Sequence, residues 1–426
     1  MVLMLPIATD NGARLAAILP TGIAALARGL GSDPEEALAH IFADRLAAER
    51  SDPDRFAPAV PEALPAIRGL VLLVVDGLGT ANLQAVRAHA PTLAALGGRR
   101  IETVLPSTTG AALTTLATGC LPGRHGLIGY RIRHPELGLR STLKEWQGID
   151  DVRSWQRVAP LWETAGRLGA RAVAIGRPAH ASGGLTEAIL SGAEYHGAQT
   201  IGERFAIASR LLRGGGTPEP VLAYLYVDEL DKAAHAQGWQ SRAWLDRLEA
   251  LDAALSDFLR GLPGGVGVVI TADHGVIDVP PHRRLRLDEG ELFDGGPGER
   301  AVIEIGGEPR LRSLYLAEGQ DPASVASLLG ERLGRLAWVG PRDEAVSGGW
   351  FGAVAPEVAP RLGEVLVAAR GQVAFTLSTD SHGALEMVGQ HGGLSAEERG
   401  VPLIPAGALA GSGFAAAVAK IAAGVS

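Results

Sequence analysis

Acidic and imidazole side chains follow short apolar runs at three places in the chain. The runs end in VVDG, YVDELD and TADHG, which carry the candidate metal ligands Asp76, Asp231, His235, Asp273 and His274. Zinc accepts carboxylate and imidazole ligands together, and manganese is a second choice. Asp231 and His235 are four residues apart, so they face the same side of a helical turn. One aspartate at a strand end is often a turn former, but three such ends together predict a metal site.

Hydroxyl side chains in LPSTTGAALTTLATGCLPGRHG, residues 105–126, supply candidate nucleophiles. Thr109 directly precedes a glycine and an apolar helical pattern, so its hydroxyl would lie at a helix N-terminus. Free backbone N–H groups favour negative charge there, and a metal ion could lower the pKa of the hydroxyl. Ser107 and Thr108 are competitors, and all three residues could instead be ordinary N-cap residues.

Apolar runs bounded by glycine predict the strands that position these residues. The runs lie at 69–80, 170–176, 220–230 and 265–275, and helical patterns between or after them lie at 161–168, 200–212 and 243–260. This alternation predicts an α/β fold with a mostly parallel central sheet flanked by helices. In such sheets ligands gather at the carboxyl ends of the strands, which is where the candidate metal ligands fall.

The local composition of the sequence changes at two places. Residues 33–61 alternate acidic and Ala-rich stretches before a Pro-punctuated linker, so we expect an N-terminal helical extension over 1–62. Charged loops, the strand pattern SLYLAE and a helical pattern near 322–335 predict a smaller cap subdomain inserted at about 281–370. The catalytic domain would then span 63–426.

Composition excludes several classes of protein. The 426 residues carry 39 Lys plus Arg and 47 Asp plus Glu, a net charge of −8, which argues against nucleic-acid polymers and anionic membranes as partners. Cys120 is the only cysteine, so the chain has no intramolecular disulfide. The N-terminus has no basic region before its apolar run, and we expect no signal peptide, no membrane span and a cytoplasmic location. The oligomeric state stays open.

Taken in order, the motifs VVDGLG, PSTTGAALTTLATGCLPGRHG, DELDKAAH, TADHG and QHGG resemble the alkaline phosphatase superfamily. Within it they are most similar to the nucleotide pyrophosphatase/phosphodiesterase family, over roughly residues 70–400. The resemblance implies an alkaline phosphatase-like fold and a site for two zinc ions. It divides the ligands into Asp76, Asp273, His274 and the nucleophile Thr109 at one ion, and Asp231, His235 and a later histidine at the other.

The family pattern also decides between competing residues. The spacing from Thr109 to Thr118-Gly119 and to the later His125-Gly126 agrees with the family and favours Thr109 over its neighbours. Two histidines, His382 and His391, have the small-residue context of the last ligand. The segment HGGLSAEERGVPLI resembles the one that closes the sheet in the superfamily, which favours His391.

The chain departs from the family at the expected substrate contacts. The family's nucleotide enzymes carry an asparagine 21 positions beyond the nucleophile, where this chain has Tyr130, and another three positions beyond it, where this chain has Ala112. We therefore expect Tyr130 and its neighbour Arg131 to bind the substrate. CLPGR at Cys120 matches the pattern that sulfatases convert to formylglycine, but the sulfatase cysteine starts the helix whereas Cys120 follows it.

The resemblance implies a metal-dependent hydrolase that acts on phosphodiesters or nucleotide pyrophosphates through a phospho-threonine intermediate. Its partner would be a small-molecule phosphate ester. The alternatives are a phosphonate hydrolase, a phosphomonoesterase, a sulfatase or a non-catalytic metal-binding relative. No Arg or Lys follows closely after Thr109, so only the more distant Arg124 could offset the second negative charge of a phosphomonoester. We therefore expect diesters to be hydrolysed faster than monoesters.

Overall fold

The computed structural model describes residues 5–6, 10–46, 60–214, 219–294 and 300–425. Parts of the predicted extension, the start of the predicted linker and part of the charged loop near 281–296 lie outside the described residues. The described strands are β1 (Gly69–Val75), β2 (Arg99–Glu102), β3 (Arg131–His134), β4 (Gly138–Ser141), β5 (Arg171–Gly176), β6 (Glu194–Gly197), β7 (Val221–Val227), β8 (Val266–Thr271), β9 (Ile277–Asp278), β10 (Arg284–Arg286), β11 (Val302–Glu308), β12 (Leu311–Leu316), β13 (Ala337–Pro341), β14 (Val365–Ala369), β15 (Ala374–Thr376), β16 (Gly389–Gln390) and β17 (Gly400–Gly407).

Helices of very different length connect these strands. They are α1 (Ala13–Gly29), α2 (Pro34–Leu46), α3 (Thr80–Ala85), α4 (Pro91–Leu96), α5 (Thr109–Thr118), α6 (Pro122–His125), α7 (Val152–Trp155), α8 (Trp162–Arg167), α9 (Gly184–Leu190), α10 (Ile201–Arg213), α11 (Glu229–Gln237), α12 (Arg242–Arg260), α13 (Pro322–Leu333), α14 (Arg342–Ser347), α15 (His382–Glu386), α16 (Ala396–Arg399) and α17 (Phe414–Ala422). None of the described helices is long and apolar enough to cross a membrane.

The central sheet has the strand order β2-β17-β8-β1-β7-β5-β6. The five strands from β8 to β6 are parallel, and β17 runs antiparallel to both of its neighbours. Every residue of β1 and β8 is buried, which explains why both read as continuous apolar runs without polar alternation. The predicted α/β fold with a mostly parallel sheet flanked by helices is therefore confirmed.

Helix α1 belongs to the main hydrophobic core. Its apolar residues pack in one cluster with β1, α5 and α17, and 14 of its 17 residues are buried. At Gly29 a Cβ atom would lie 1.8 Å from the carbonyl oxygen of Ile67, so only glycine permits this approach to the chain entering β1. The domain boundary after residue 62 stays a prediction.

A second, smaller sheet stands apart from the central one. It is antiparallel in the order β11-β12-β14-β13, and helix α13 packs against it over a separate apolar core. These strands and α13 fall within 281–370, where the sequence predicts a cap subdomain, and the cap stays a prediction. The turn between β11 and β12 is tied to the rest of the molecule by Arg310, whose guanidinium lies 2.7 Å from Glu398 with both side chains fully buried.

Candidate active site

The central strands β8, β1 and β7 bring the candidate ligands to one edge of the sheet. Asp76 directly follows β1, and Asp273 and His274 follow β8 within three residues. Helix α11, which begins just after β7, carries Asp231 and His235 on successive turns. These five side chains, which come from three separate segments, meet at the carboxyl edge as the strand pattern predicts.

A glycine makes this convergence possible. Gly77 has a φ of 75°, which only glycine adopts readily, and a Cβ atom there would lie 3.1 Å from Cα of Asp231. The turn after β1 can therefore approach helix α11 closely. The backbone N–H of Gly77 also donates a hydrogen bond of 3.2 Å to Oδ1 of Asp273, which links the ends of β1 and β8.

The three histidines of the cluster share one arrangement of their rings. Each places Nδ1 at hydrogen-bonding distance of a backbone carbonyl oxygen: His235 at 2.8 Å from Gly389, His274 at 3.1 Å from Gly275, and His391 at 3.0 Å from Ser107. Because a carbonyl oxygen only accepts, each Nδ1 carries the proton and donates it. Each Nε2 then keeps its lone pair, which is the form in which histidine binds a metal ion.

The aspartates of the cluster leave one oxygen each without a partner. Oδ2 of Asp76 accepts a hydrogen bond from the hydroxyl of Tyr226, and Oδ1 of Asp273 accepts the N–H of His274 at 2.9 Å. The atoms that remain buried without a hydrogen-bond partner are Asp76 Oδ1, Asp231 Oδ1 and Asp273 Oδ2. Buried anionic oxygens without partners are costly, and a bound cation would satisfy all three.

The spacing of the donor atoms fits a metal centre. Ligand atoms about 2.0–2.1 Å from a tetrahedral zinc ion lie about 3.3 Å from one another. Nε2 of His274 lies 3.4 Å from Oδ1 of Asp76 and 3.5 Å from Oδ2 of Asp273, and Nε2 of His235 lies 3.1 Å from Oδ2 of Asp231. Two sets of three residues, which share His274, each place their ligand atoms within 4.8 Å of one another. They are Asp76, Asp273 and His274, and Asp231, His274 and His391.

Burial sets the protonation of most of these groups. It lowers the pKa of His274 to about 4 and that of His391 to about 3, so both rings are neutral near pH 7. Burial raises the pKa of Asp273 to about 6, and the charge of Asp231 adds to the effect. Burial lowers the pKa of His235, but the adjacent Asp231 raises it by more, so the net shift is upward. A proton therefore competes with a metal ion for this ring.

The structure separates the two late histidines. His391 follows the short strand β16, and its ring stacks on that of His274 with the centroids 3.5 Å apart. His382 begins helix α15, its side chain is 84% exposed, and its Nδ1 lies 3.5 Å from Glu386. The geometry therefore places His391 in the cluster and His382 outside it, while their roles in metal binding stay predictions.

The three candidate nucleophiles have different surroundings. Thr109 is the first residue of α5, and its Oγ1 lies 3.2 Å from Nε2 of His274, at the metal cluster. Oγ of Ser107 donates to the carbonyl of Gly393 at 2.9 Å, so this hydroxyl holds the loop that carries His391. Thr108 Oγ1 is buried without a partner, and Thr108 lines the same cavity as Thr109. Thr109 is thus the hydroxyl that lies against the cluster.

Cys120 lies at the opposite end of α5 from the cluster. The helix ends at Thr118, where Gly119 takes a left-handed conformation with φ 68°, and the buried Cys120 follows. The sulfatase-like pattern therefore has its cysteine at the C-terminal end of the helix, where backbone carbonyls rather than N–H groups are free.

A cavity of about 730 Å³ opens beside the cluster and is lined by Thr109, Asp76 and His391. One wall is apolar and aromatic, with Leu113, Leu185, Ile189, Leu190, Tyr195 and Tyr224. A polar wall, in which Glu308 contacts Tyr130, contains both expected substrate contacts, Tyr130 and Arg131. Arg124 does not line the cavity. It is the cation that the sequence offered to offset the second charge of a monoester.

Several lining residues were not anticipated from the sequence, among them Tyr226, Glu308 and Arg312. Tyr226 contacts Asp76 from the neighbouring strand β7. Glu308 accepts the backbone N–H of Tyr130 at 3.2 Å, and Arg312 lies in the facing strand of the hairpin β11–β12, in register with Gly307. Tyr226 could have been found because it immediately precedes an acidic strand end in YVDELD. Glu308 and Arg312 come from the smaller sheet and carry no local motif.

A mostly parallel sheet with carboxylates and imidazoles at its carboxyl edge, and a threonine at a helix N-terminus beside them, defines an alkaline phosphatase-like α/β protein. The family model of type I phosphodiesterases and nucleotide pyrophosphatases matches residues 70–394. The chain therefore belongs to that family, whose members are hydrolases.

The curated relatives are distant and much longer than this chain. Ectonucleotide pyrophosphatase/phosphodiesterase family member 1 of Rattus norvegicus is 24% identical over 186 residues, which are 42% of this chain and 20% of the relative. Venom phosphodiesterase 2 of Crotalus adamanteus is 24% identical over 226 residues, which are 49% of this chain and 27% of the relative. The matched region thus spans about a quarter of their length.

Solved structures match a larger share of the fold. Murine ectonucleotide pyrophosphatase/phosphodiesterase 5, an inactive variant in complex with AMP, superposes with a TM-score of 0.61 at 18% identity, covering 79% of this chain and 87% of that one. Phosphonoacetate hydrolase from Sinorhizobium meliloti 1021 in complex with phosphonoformate gives 0.62 at 19% identity, covering 84% and 97%. At these identities the likeness concerns the fold alone.

Proposed function

We propose that this chain is a metal-dependent hydrolase of phosphodiesters or nucleotide pyrophosphates that forms a phospho-threonine intermediate on Thr109. The observation that carries the proposal is the inward-facing donor set beside that hydroxyl. Three unpartnered carboxylate oxygens and three Nε2 lone pairs come together in one buried cluster. Family membership supports the same reaction class.

Six side chains would hold two zinc ions, with manganese as the second choice. Asp76, Asp273 and His274, together with the hydroxyl of Thr109, would hold one ion; Asp231, His235 and His391 would hold the other. Two bound zinc ions would favour the deprotonated forms of the threonine hydroxyl and of water and would stabilise negative charge on the leaving oxygen.

The residues of the chain then divide the reaction into two displacements. Oγ1 of Thr109 forms a bond to phosphorus while the bond from phosphorus to the leaving oxygen breaks. Water next attacks the phospho-threonine, and breaking of the Thr109 oxygen–phosphorus bond restores the hydroxyl and releases the phosphate product. The first backbone N–H groups of α5 have no acceptor within the helix, so they are available to non-bridging oxygens that carry charge.

The two walls of the cavity suit a substrate with an organic substituent. The apolar wall offers Leu185, Ile189 and Tyr195 to a ring or an alkyl group, while the reacting phosphorus would lie at Thr109. A diester presents such a substituent and carries one negative charge at the reacting phosphorus. This supports the expectation that diesters are turned over faster than monoesters.

The test is a substrate panel with zinc-loaded protein. Nitrophenyl esters of a phosphodiester, a phosphomonoester, a phosphonate and a sulfate should rank with the diester first. Thr109→Ala should lower turnover by at least about 1,000-fold, because the methyl group cannot attack. Thr109→Ser should keep measurable activity, and elemental analysis should find two zinc ions per chain in all three proteins.

Matched variants make the result decisive. Thr108→Ala removes the neighbouring hydroxyl of the same cavity and should cost far less than Thr109→Ala. Sulfate turnover that depends on Cys120 would restore the sulfatase alternative, and monoester or phosphonate turnover well above diester turnover would reassign the substrate. Full activity after prolonged chelation, or wild-type rates in Thr109→Ala, would refute the proposal.

A further inference from the structure

Arg131 lies in the polar wall of the active-site cavity with an unpaired charge. Its Nε atom is buried and has no hydrogen-bond partner, and no carboxylate among the described residues lies within ion-pairing distance of its guanidinium. Arg133, two residues along the same strand, shows the contrast, since its guanidinium lies 2.7 Å from Glu304 and over the ring of Tyr315. A partly dehydrated guanidinium without a partner is suited to an anion that enters from the cavity.

A second guanidinium lies in the same wall. In the hairpin β11–β12, Arg312 pairs in register with Gly307, and the preceding Gly306 packs so closely on Arg131 that a Cβ atom would lie 2.6 Å from its carbonyl oxygen. Burial lowers the pKa of Arg312, Asp380 and Glu308 oppose that shift, and the charge of Arg131 acts in the same direction as burial.

Fixed contacts distinguish the two guanidinium groups. Nε of Arg312 donates to the carbonyl of Phe375 at 2.8 Å, and its NH2 group lies 2.7 Å from Asp380, which neutralises it. The other carboxyl of this wall, Glu308, accepts the N–H of Tyr130, and burial raises its pKa to about 8, so it is mainly neutral near pH 7. The wall therefore keeps the positive charge of Arg131.

We propose that Arg131, with Arg312 beside it, binds a second anionic group of the substrate, a carboxylate or a phosphate that is separate from the reacting phosphoryl group. The inference rests on the proposed function, because it concerns the substrate of the same site. A guanidinium presents two parallel N–H donors that match the oxygens of either anion. The substrates are accordingly phosphodiesters or pyrophosphates with an additional negative charge on one substituent.

For each of several related esters, the experiment measures the ratio of kcat/KM in the wild type to kcat/KM in Arg131→Gln. Because both values come from the same ester, differences in leaving-group reactivity cancel in the ratio. Methyl 4-nitrophenyl phosphate has no second anion. Carboxymethyl 4-nitrophenyl phosphate and 2-phosphoethyl 4-nitrophenyl phosphate carry one on the retained group, and methyl 4-carboxyphenyl phosphate carries one on the leaving group. The loss should be about 10- to 100-fold larger for at least one of these three esters than for the methyl nitrophenyl ester.

Comparison of the three esters that carry a second anion shows which anion, and on which side of the phosphorus, Arg131 binds. Two variants serve as structural controls. Arg131→Lys should recover part of the preference, since it keeps the charge but loses the second donor. Arg140→Gln alters an arginine of the adjacent strand β4 that does not line the cavity, and it should leave every ratio unchanged.

Several outcomes would overturn the inference while leaving the proposed function in place. If Arg131→Gln lowers kcat/KM equally for all the diesters, Arg131 acts at the reacting phosphoryl group. The same conclusion would follow if the loss of kcat/KM were largest for the monoester 4-nitrophenyl phosphate. If the zinc-loaded wild-type protein hydrolyses none of the diesters, the proposed function itself fails, so the two failures are distinguishable.

Discussion

Replacing His391 by asparagine tests the metal site at a single ligand. The ring stacks on that of His274, and its Nδ1 donates to the carbonyl of Ser107 at 3.0 Å. Asparagine keeps an N–H donor for that carbonyl, so the loop should retain its anchor. The change removes Nε2 and leaves Asp231 and His235 as the only protein ligands of the proposed second ion.

The magnitude follows from the number of ligands lost. Changing a partner that only orients a ligand typically lowers metal affinity about 10- to 100-fold, so losing one ligand of three should cost at least the upper value, about 100-fold. That is about 2.7 kcal/mol of binding free energy. The ion held by Asp76, Asp273 and His274 should be affected much less, because it does not use His391.

The assay is zinc stoichiometry by elemental analysis after dialysis against buffered free zinc. His391→Asn should hold one zinc per chain at a free concentration that keeps two in the wild type. The matched control is His382→Asn, whose side chain is 84% exposed and should hold two. Two zinc ions bound with wild-type affinity in His391→Asn, or loss of zinc in His382→Asn alone, would refute the assignment.

Three further predictions concern the groups around the ligands. Tyr226→Phe removes the hydroxyl that donates to Asp76 and should weaken zinc affinity about 10- to 100-fold by titration, whereas unchanged affinity would contradict the contact. Glu398→Gln breaks the buried pair with Arg310 and should lower the free energy of unfolding by about 3–5 kcal/mol; a loss below about 1 kcal/mol would argue against it. Burial raises the pKa of Asp273 in the folded, metal-free protein from the ordinary 3.8 to about 6. The protonated carboxyl therefore favours the folded state over the unfolded state at low pH, and this contribution to stability is lost as pH rises through 6. Between about pH 4 and 6, the melting temperature of metal-free wild type relative to Asp273→Asn should therefore fall as pH rises, and parallel curves would contradict this.

The central sheet was largely predictable because its strands are buried on both faces. Strands β1, β5, β7 and β8 appear as apolar runs bounded by glycine, and all four form within the predicted ranges. Strand β17 is harder to recognise because Pro402 and Pro405 argue against a central strand. It is accommodated between two neighbours because it pairs with β2 over its first half and with β8 over its second half.

The candidate site was predictable wherever a residue follows a strand directly. Asp76 and Asp273 occupy such positions, and the structure brings them together with Thr109 and His391, whose functional roles stay predictions. The polar wall of the cavity was not predictable beyond Tyr130 and Arg131. Glu308 and Arg312 come from the hairpin β11–β12, which is far along the chain from Thr109, and no spacing rule connects such a hairpin to a particular wall of the cavity.

The hairpin β11–β12 contacts both the polar wall of the cavity and the segment beside the loop that carries His391. Glu308, at the end of β11, contacts the backbone of Tyr130, and Arg310, two residues later, is paired with Glu398. Glu398 in turn accepts the N–H of Gly393 at 2.9 Å, next to the loop that carries His391.

The backbone that shapes the polar wall is therefore held by the same contacts that hold a candidate zinc ligand. Because interiors are close-packed and transmit displacement, a change in the β11–β12 turn should alter substrate preference and zinc affinity together. A change in the apolar wall formed by α9 should alter substrate preference more than zinc affinity, since that helix packs mainly on α5 and α7.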